Sequence, residues 1–311
     1  MRVVIAGATG FIGKALCREL HKDYQITALS RDADKARRSL GQIAGTVQWD
    51  AKAPYGWAGA VDGATAVVNL AGENIAAGRW NAAKKRRILH SRLDAITAII
   101  EAIRQADTKP KVLVQASATG YYGPQQDEQL DEESRPGHGF LATVCQSVEN
   151  SAMKVEHLGV RCVLVRSGVV LGRQEGALPK IAKPFRYYLG GHPGSGRQWF
   201  SWISLDDEIA AIRFLMESEN LHGVFNLTAP EPVTMKQFCK TLGQVLHRPA
   251  WFAVPGLVLR LVFGQTAQET VLSGQRVLPK RLLQAGFHFE HATVQCALDD
   301  ILTGKDDYEP G

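Results

Sequence analysis

The sequence has few cysteines, no long apolar run and little excess charge of either sign. Its five cysteines lie far apart and form no C-x-x-C pair, so we expect neither a disulfide framework nor a metal site. No apolar run is long enough to cross a bilayer, which predicts no membrane partner. The net charge of +5, from 36 Lys and Arg against 31 Asp and Glu, is spread along the chain, so nucleic acid is not an expected partner.

The composition is also unlike that of a disordered protein. Of the 311 residues, 45% are hydrophobic and 22% are charged, as in ordinary globular proteins. This length allows either one α/β domain with an elaborated lobe or two domains. The spaced cysteines fit a reducing compartment, and the first strand begins without a charged leader. We therefore expect a soluble, cytoplasmic protein, and the sequence leaves its oligomeric state open.

A glycine-rich turn lies at the start of the chain. The apolar run Val3–Ala6 leads into three glycines spaced G-x-x-G-x-x-G, and a helical segment follows through Leu20. Glycines allow the tight turn, and they let a diphosphate approach the N–H groups at the helix N-terminus. The alternative is a turn with a structural role only. The predicted dinucleotide-binding residues of this turn are Gly7, Thr9, Gly10, Phe11, Ile12 and Gly13.

The end of the second apolar segment indicates which dinucleotide binds. In such folds an acidic residue here contacts the ribose 2′-hydroxyl of NAD, whereas an arginine accommodates the 2′-phosphate of NADP. Ser30 and Arg31 occupy this place and Asp32 follows them, so we predict NADP(H). A solvated loop arginine is the alternative.

Apolar segments alternate with helical ones and predict a doubly wound parallel sheet of the Rossmann type, in the α/β class. We predict an NADP(H)-binding domain over 1–175 and a smaller mixed α+β substrate lobe over 176–311, which includes the C-terminal segment 249–302. Part of 199–228 is expected to complete the sheet, with a strand over 199–203. The predicted helix N-caps in this half are Ser204 and Thr234.

Small and polar residues follow the predicted strands, where ligands bind in parallel sheets. The fourth predicted strand ends at Leu70 and is followed by Ala71, Gly72 and Glu73, and all four are predicted cofactor-binding residues. Arg92 on the next helix is a predicted phosphate contact. Hydroxyl groups after the fifth strand would suit hydrogen bonding to a substrate carbonyl or hydroxyl, and a turn with aromatic anchors is the alternative. The predicted catalytic residues are Ser117 with Tyr121 or Tyr122. Two arginines would suit an anionic substrate. The predicted substrate-cleft residues are Arg79, Arg197 and Gln198.

Several motifs resemble one family. GATGFIG at the glycine turn is similar to the fingerprint of extended short-chain dehydrogenase/reductases. NLAGE, RW, SR, YYG, RSGVVLG, GSGRQ and GQRVLPKRL resemble the YfcH-like epimerase-family proteins, which are atypical members with a C-terminal domain of unknown function. The resemblance spans nearly the whole chain and implies a Rossmann-type sheet, a small C-terminal substrate lobe and an NADP(H) site. The cofactor positions that it implies are Ser30, Arg31, Leu70, Ala71, Arg92, Gly168 and Val170.

The resemblance also implies a catalytic pair that this chain lacks. Active relatives of this fold use Tyr-x-x-x-Lys on the helix after the fifth strand, where the lysine and the cofactor ribose lower the pKa of the tyrosine. Alignment on Glu149 puts Leu141 and Cys145 in these two positions, and 140–153 contains neither Tyr nor Lys. Cys145 is either a reactive thiol or inert packing.

Two functions stay open at this point. The first is an NADP(H)-dependent oxidoreductase or epimerase of a small or sugar-like substrate, in which the hydroxyl groups after the fifth strand replace the missing pair. The second is a non-catalytic NADP(H)-binding sensor or partner-docking protein, linked through some relatives to cell division.

Overall fold

The structure is a computed structural model that describes residues 1–304. Its strands are β1 Arg2–Ala6, β2 Gln25–Ser30, β3 Gly45–Gln48, β4 Ala66–Asn69, β5 Val112–Ala118, β6 Gln129–Leu130, β7 Arg161–Ser167, β8 Val169–Leu171, β9 Gly190–Pro193, β10 Trp199–Phe200, β11 Trp202–Ser204, β12 Gly223–Leu227, β13 Val233–Thr234, β14 Ala250–Val254 and β15 Arg276–Val277. Its α-helices are α1 Phe11–Leu20, α2 Ala33–Leu40, α3 Ala82–Gln105, α4 Phe140–Ala152, α5 Leu178–Arg186, α6 Leu205–Glu217, α7 Met235–Val245, α8 Gly256–Phe263, α9 Gln265–Thr270, α10 Lys280–Gln284 and α11 Val294–Thr303. Short 3-10 helices cover Ala58–Ala60, Thr119–Tyr122 and Met153–Leu158.

Seven parallel strands form the central sheet, in the order β12-β7-β5-β4-β1-β2-β3. In the centre, Val4 of β1 lies opposite Thr27 of β2 on one side and Val67 of β4 on the other. The chain thus winds outward from β1 in both directions, and the change of direction between β1 and β4 is the place where such folds bind ligands. The predicted α/β fold of the Rossmann type is confirmed.

Helices cover both faces of this sheet, which explains why its strands read as continuous apolar runs. Parallel strands are buried on both faces, so neighbouring residues in a strand are equally apolar. Val3, Val4 and Ile5 of β1 are all completely buried. On one face the sheet packs against α1 and α6, and on the other against α3. This double layer fixes where each strand ends, and so where the candidate site lies.

The C-terminal half contains a second, smaller core between α5, α7 and α11. Phe185, Phe238 and Leu298 are among its buried residues. Although they come after residue 176, α6 packs on the large sheet and β12 is its edge strand beside β7. The division at residue 175 stays a prediction, and residues 305–311 of the predicted lobe lie outside the described residues.

Two predicted helix caps are confirmed, and one predicted strand is not continuous. The hydroxyl groups of Ser204 and Thr234 accept hydrogen bonds from backbone N–H groups three residues later, at 3.1 and 3.2 Å. The strand predicted over 199–203 is two short strands, β10 and β11, with a break at Ser201. The reason is that the Ser201 hydroxyl donates to the backbone oxygen of Gln275 at 2.7 Å and accepts from Val277 N–H at 3.0 Å.

No helix within residues 1–304 combines the length and the apolar character that crossing a membrane requires.

Candidate functional site

The glycine turn joins β1 to α1 and holds the first turn of the helix at the edge of the sheet. Gly7 has φ +81°, and a Cβ there would lie 2.8 Å from the carbonyl group of Leu70. A Cβ on Gly13 would lie 2.2 Å from the Gly7 oxygen, so this glycine lets the helix pack on the turn. Gly10 caps α1 without a side-chain hydrogen bond. The first N–H groups of the helix therefore lack intrahelical acceptors and can bind an anion.

The three predicted residues of the turn that are not glycines, Thr9, Phe11 and Ile12, each contact a different part of the chain. The Phe11 ring packs against the loop after β8, because a Cβ on Gly172 or Gly176 would lie 2.5 or 2.9 Å from ring carbons. Ile12 packs against the core of the sheet, whereas Thr9 is half-buried in the turn itself. The turn is thus supported from the far side by the C-terminal half of the chain.

At the end of β2, Arg31 is exposed and the carboxylate of Asp32 binds the N-terminus of α2. The Ser30 hydroxyl donates to the backbone oxygen of Asp32 at 2.9 Å. The Asp32 carboxylate accepts from the N–H of Lys35 at 2.9 Å and caps α2, so its position is already determined by the helix. Arg31 is exposed, and within residues 1–304 its guanidinium forms no hydrogen bond.

The loop after β4 is shaped by the first part of α3. Lys84 is buried and donates to the Glu73 carboxylate at 2.7 Å, and this hydrogen bond lowers the pKa of Glu73. Arg92 donates to the backbone oxygen of Glu73 at 3.1 Å, and its guanidinium lies so close to Gly72 that a Cβ there would be 2.7 Å away. Arg92 therefore holds the backbone of this loop against α3. Burial lowers the pKa of its guanidinium.

The two residues directly after β4 are held by one sheet hydrogen bond and one local side-chain hydrogen bond. Leu70 N–H donates to the backbone oxygen of Ala6 at 2.9 Å, and Ala71 N–H donates to the Asn69 side-chain oxygen at 3.1 Å. These bonds place the backbone of the predicted cofactor residues Leu70 and Ala71 beside the glycine turn, as the close approach of Gly7 also requires.

One face of α4 points at the end of β5. Leu141, Cys145 and Glu149 are spaced by four residues and share this face. The Glu149 carboxylate accepts a hydrogen bond from the Ser117 hydroxyl at 2.6 Å. A Cβ on Gly120 would lie 3.3 Å from Leu141 Cβ and 3.9 Å from Cys145 Sγ. The positions that align with the family's tyrosine and lysine thus face the hydroxyl cluster after β5.

A buried ion pair lies beneath this cluster. Both oxygens of Glu149 accept hydrogen bonds from Arg166, at 2.9 Å from Nε and 2.7 Å from Nη2. Arg166 Nη1 donates to the Tyr122 hydroxyl at 3.0 Å, and this hydroxyl donates to the Asn226 side-chain oxygen at 2.7 Å. Tyr122 is completely buried, and burial raises its pKa to about 12. These surroundings favour a structural role for Tyr122.

Tyr121 differs from its neighbour in accessibility. Its ring lies 3.3 Å from the Arg166 guanidinium carbon, in a cation–π contact, and meets the Tyr122 ring edge-on at 5.3 Å. The side chain is only half-buried, and its hydroxyl has no hydrogen-bond partner in the part of the chain that the structure describes.

The Cys145 thiol, which aligns with the family's lysine, is buried. Burial raises its pKa to about 11, so this thiol is neutral at neutral pH.

The segment after β7 lies at the same edge of the sheet. Gly168 N–H donates to the backbone oxygen of Leu227 at 2.9 Å, and a Cβ there would lie 2.6 Å from the Ser201 oxygen. Val170 pairs with Ile203 of β11 and packs partly against the core. Because β1, β4, β5 and β7 are parallel, the residues after all four strands meet at one edge.

The predicted substrate-cleft residues lie in different parts of the chain, with Arg79 before α3 and the other two between β9 and β10. Arg79 is exposed beside Gly264, where a Cβ would lie 2.9 Å from its Nε. Arg197 is exposed in the loop between β9 and β10. The Gln198 amide donates to the backbone oxygen of Pro193 at 3.0 Å and so holds this loop.

Some residues of the site were missed by the sequence analysis. Glu149 served there only to align α4, and Arg166 only as part of a motif. A charge within the apolar run of β7 was the available signal, because charged side chains are almost never fully buried unless paired. Glu269 of α9 accepts hydrogen bonds from Phe140 and Leu141 N–H at 3.3 and 3.0 Å, and nothing in the sequence indicated this contact.

No group of three or more His, Cys, Asp or Glu side chains in the part of the chain that the structure describes is arranged to hold a metal ion.

Comparison with protein families gives two matches. Residues 3–228 match the NAD dependent epimerase/dehydratase family, and residues 254–301 match a domain of unknown function, DUF1731. The chain is 40% identical over 307 residues to the epimerase family protein SDR39U1 homolog, chloroplastic, of Arabidopsis thaliana, covering 97% of this chain and 87% of that protein. It is 35% identical over 312 residues to the epimerase family protein YfhF of Bacillus subtilis, covering 98% and 99%.

Solved structures give the same relationship. The crystal structure of human epimerase family protein SDR39U1 (isoform 2) with NADPH has a TM-score of 0.87 and 35% identity, covering 97% of this chain and 99% of that one. UDP-glucuronic acid 4-epimerase from Bacillus cereus has a TM-score of 0.78 at 16% identity, covering 98% of both chains, and so shares the fold. The chain therefore belongs to the NAD dependent epimerase/dehydratase family, as an extended short-chain dehydrogenase/reductase with a C-terminal domain of unknown function.

Proposed function

We propose that this protein is an NADP(H)-dependent oxidoreductase or epimerase of a small or sugar-like substrate. The observation that carries the proposal is the pair of hydroxyl groups at the C-terminal end of β5, Ser117 within the strand and Tyr121 just after it, at the edge where the glycine turn lies. Ser117 is held by the buried Glu149 at 2.6 Å, and the Tyr121 hydroxyl is free of protein partners within residues 1–304. Two hydroxyl groups at this edge would suit proton exchange with a substrate hydroxyl or carbonyl.

The residues of the turn fit a dinucleotide. The cap of α1 carries no side chain that would occupy the anion position, and a Cβ at Gly7 would fill the approach beside Leu70. The exposed Arg31 favours a nucleotide with a 2′-phosphate, because Asp32 is already used as the cap of α2. The human relative crystallised with NADPH supports this choice, whereas the Bacillus cereus epimerase was crystallised with NAD.

An Arg31→Ala variant tests the choice of cofactor. We expect it to weaken NADPH binding by about 1 to 3 kcal/mol, the range of a charge-assisted hydrogen bond, and to leave NADH binding nearly unchanged. Titration calorimetry with both nucleotides measures the difference. Arg38→Ala, at an exposed position on α2, is the matched control and should change neither affinity. Equal losses for NADPH and NADH would show that Arg31 does not contact the 2′-phosphate.

The chemistry divides between the cofactor and the chain. NADP(H), when bound, supplies hydride exchange. Because its own proton is directed to Glu149, Ser117 would accept a hydrogen bond from the reacting hydroxyl of the substrate, and Tyr121 would donate or accept the substrate proton. The cation–π contact with Arg166 holds the Tyr121 ring at the end of β5. Arg79 and Arg197 are the proposed contacts of an anionic group on the substrate.

Tyr121→Phe and Ser117→Ala variants test this division. Ser117→Ala should lower kcat by about tenfold to a hundredfold, because it removes one hydrogen bond to the reacting group. Tyr121→Phe should lower kcat by about a hundredfold or more, because it removes the proposed proton donor, while NADPH affinity stays unchanged in both variants. Oxidation of NADPH across a panel of carbonyl compounds and nucleotide sugars provides the assay. Thr143→Ala, at an exposed position on α4, is the matched control. If the wild-type protein binds NADPH and leaves it unoxidised across the panel, the catalytic proposal loses its support.

A second candidate function is favoured by the lack of a reactive side chain on α4 and by the burial of Tyr122. Cys145 is a neutral thiol, Tyr122 is buried, and α4 offers neither tyrosine nor lysine. These observations suit a non-catalytic NADP(H)-binding sensor or a protein that docks a partner, as in cell division. Retained NADPH binding without turnover in the panel assay is the result that this candidate predicts. A cytoplasmic location stays a prediction under either candidate.

A further inference from the structure

The segment β14 to α8 exposes an unusual amount of apolar surface. Trp251 is 78% exposed, Leu257 68% and Leu261 69%, and α8 has no buried residue. Exposed patches of this kind mark interaction sites in soluble folds. The residues of this apolar surface are Trp251, Phe252, Leu257, Val258, Leu261, Val262 and Phe263.

The apolar residues of α8 are arranged on one face. Leu257, Val258, Leu261 and Val262 follow the helical period and form one broad stripe. Arg260, the one charged residue of this helix, lies beside the stripe. An apolar stripe with a basic flank is the pattern of a helix that lies in the interface of a membrane.

The surrounding chain carries positive charge without negative charge. Residues 176–205 and 232–268 contain Lys and Arg side chains and no Asp or Glu. The two stretches are neighbours in the fold, because β9 pairs with β14. The positive residues of these stretches are Lys180, Lys183, Arg186, Arg197, Lys236, Lys240, Arg248 and Arg260.

A basic groove connects this charge to the apolar surface. The groove has a volume of about 730 Å³ and runs along α7 to the start of β14. Trp251 belongs to both the groove and the apolar surface, and its indole N–H donates to the backbone oxygen of Tyr188 at 3.1 Å. The Arg248 guanidinium lies 4.7 Å from the Tyr188 ring. The lining residues are Lys236, Lys240, Gly243, Gln244, His247, Arg248, Pro249, Ala250 and Trp251, none of them a carboxylate.

We propose that this surface docks on an anionic lipid bilayer. The apolar stripe of α8 and the side chains of Trp251 and Phe252 would enter the interface, and the basic groove would contact lipid phosphates and carboxylates. A second copy of the chain fits less well, because it would bring two positive surfaces together without a carboxylate to pair them. The prediction of no membrane partner came from the lack of a spanning run, which surface docking does not require.

Vesicle sedimentation of the full chain with NADPH tests this proposal. We expect the protein to sediment with vesicles made of equal parts of phosphatidylcholine and phosphatidylserine, and to stay in solution with vesicles of phosphatidylcholine alone. Added salt should release it, since the attraction to anionic lipid is screened. A Leu257→Asp/Leu261→Asp variant and a Lys236→Glu/Lys240→Glu variant should each bind at least about tenfold more weakly.

Matched controls separate this surface from general effects. Leu283→Asp changes an exposed leucine on α10, and Lys109→Glu/Lys154→Glu reverses two exposed charges elsewhere, so both variants should bind vesicles like the wild type. NADPH affinity, measured in parallel, reports that each variant is folded. If the wild type binds neither kind of vesicle, the proposal is overturned. It is also overturned if the control variants lose vesicle binding equally. The same holds if Leu257→Asp/Leu261→Asp converts a dimer to a monomer and leaves vesicle binding unchanged.

Discussion

An Arg166→Ala variant should lose about 3–5 kcal/mol of its free energy of unfolding, because the change leaves a buried carboxylate without its cation. Arg166 donates to both oxygens of Glu149, and both side chains are almost completely buried. The change also removes one partner of the Tyr122 hydroxyl. Equilibrium unfolding in urea measures the loss from the transition midpoint, provided that the slope stays unchanged.

Arg213 provides a matched control for this prediction. Its guanidinium forms ion pairs with three carboxylates, at 2.9 Å to Glu19, 2.5 Å to Asp23 and 3.0 Å to Glu217, but the side chain is partly exposed. Partly exposed pairs are screened by water, so Arg213→Ala should cost about 1 kcal/mol or less in spite of its larger number of partners. Equal losses for the two variants would contradict the view that burial makes the Arg166 pair important.

A double variant separates the pair from its surroundings. In Glu149→Leu/Arg166→Met no buried charge is left unpaired, so the double variant should lose less stability than the sum of the two single changes. Ser117 and Tyr121 both depend on this pair for their position. We therefore expect the double variant to stay folded and to lose turnover, which connects the buried pair to the proposed chemistry.

The sheet and the glycine turn could be predicted because their signals are local. Each of the strands β1, β4, β5 and β7 contains a short run of consecutive apolar residues, so its signal is contained in a few residues of sequence. The turn needs glycine for two local reasons, the positive φ of Gly7 and the contact of Gly13 with the Gly7 oxygen. The helix α2 was not predicted, although Asp32 caps it and its two buried residues, Ala36 and Leu40, lie four residues apart on one face.

The interior of the site could not be predicted, because it depends on pairs that are distant in sequence. Tyr122 and Asn226 are joined by a hydrogen bond across 104 residues, so the burial of Tyr122 rather than Tyr121 had no local signal. The contact of Glu269 with the start of α4 spans about as much chain. The sequence therefore indicated that hydroxyl groups meet at the end of β5, and the fold determines which of them face outward.

Stability should also depend on pH through Glu208. This glutamate of α6 is buried below β7, and the hydroxyl of Ser167 donates to one of its oxygens at 2.6 Å. The other oxygen has no hydrogen-bond partner in the part of the chain that the structure describes. Burial raises the pKa of Glu208 from 4.5 to about 8, because the interior disfavours the charged form.

This shift gives the sign of the pH effect. Between pH 4.5 and about 8, folded Glu208 keeps a proton that the unfolded chain has released. The contribution of Glu208 to the free energy of unfolding therefore falls as the pH rises through this window, by up to about 4–5 kcal/mol in total, and does not change below or above it. A Glu208→Gln variant cannot ionise, so it should match the wild type at low pH and exceed its stability by several kcal/mol above pH 8.

Urea unfolding of both proteins across this pH range measures the difference between their curves. Glu231→Gln, which changes an exposed glutamate, is the control and should follow the wild type at every pH. Ser167 directly precedes Gly168, so ionisation of Glu208 would disturb the turn after β7 as well as the core. NADPH affinity should therefore fall in the wild type only as the pH rises past about 8, where folded Glu208 loses its proton, and stay level in Glu208→Gln. Parallel stability curves for the two proteins would show that Glu208 is ionised in the folded state, with water or rearrangement relieving its burial.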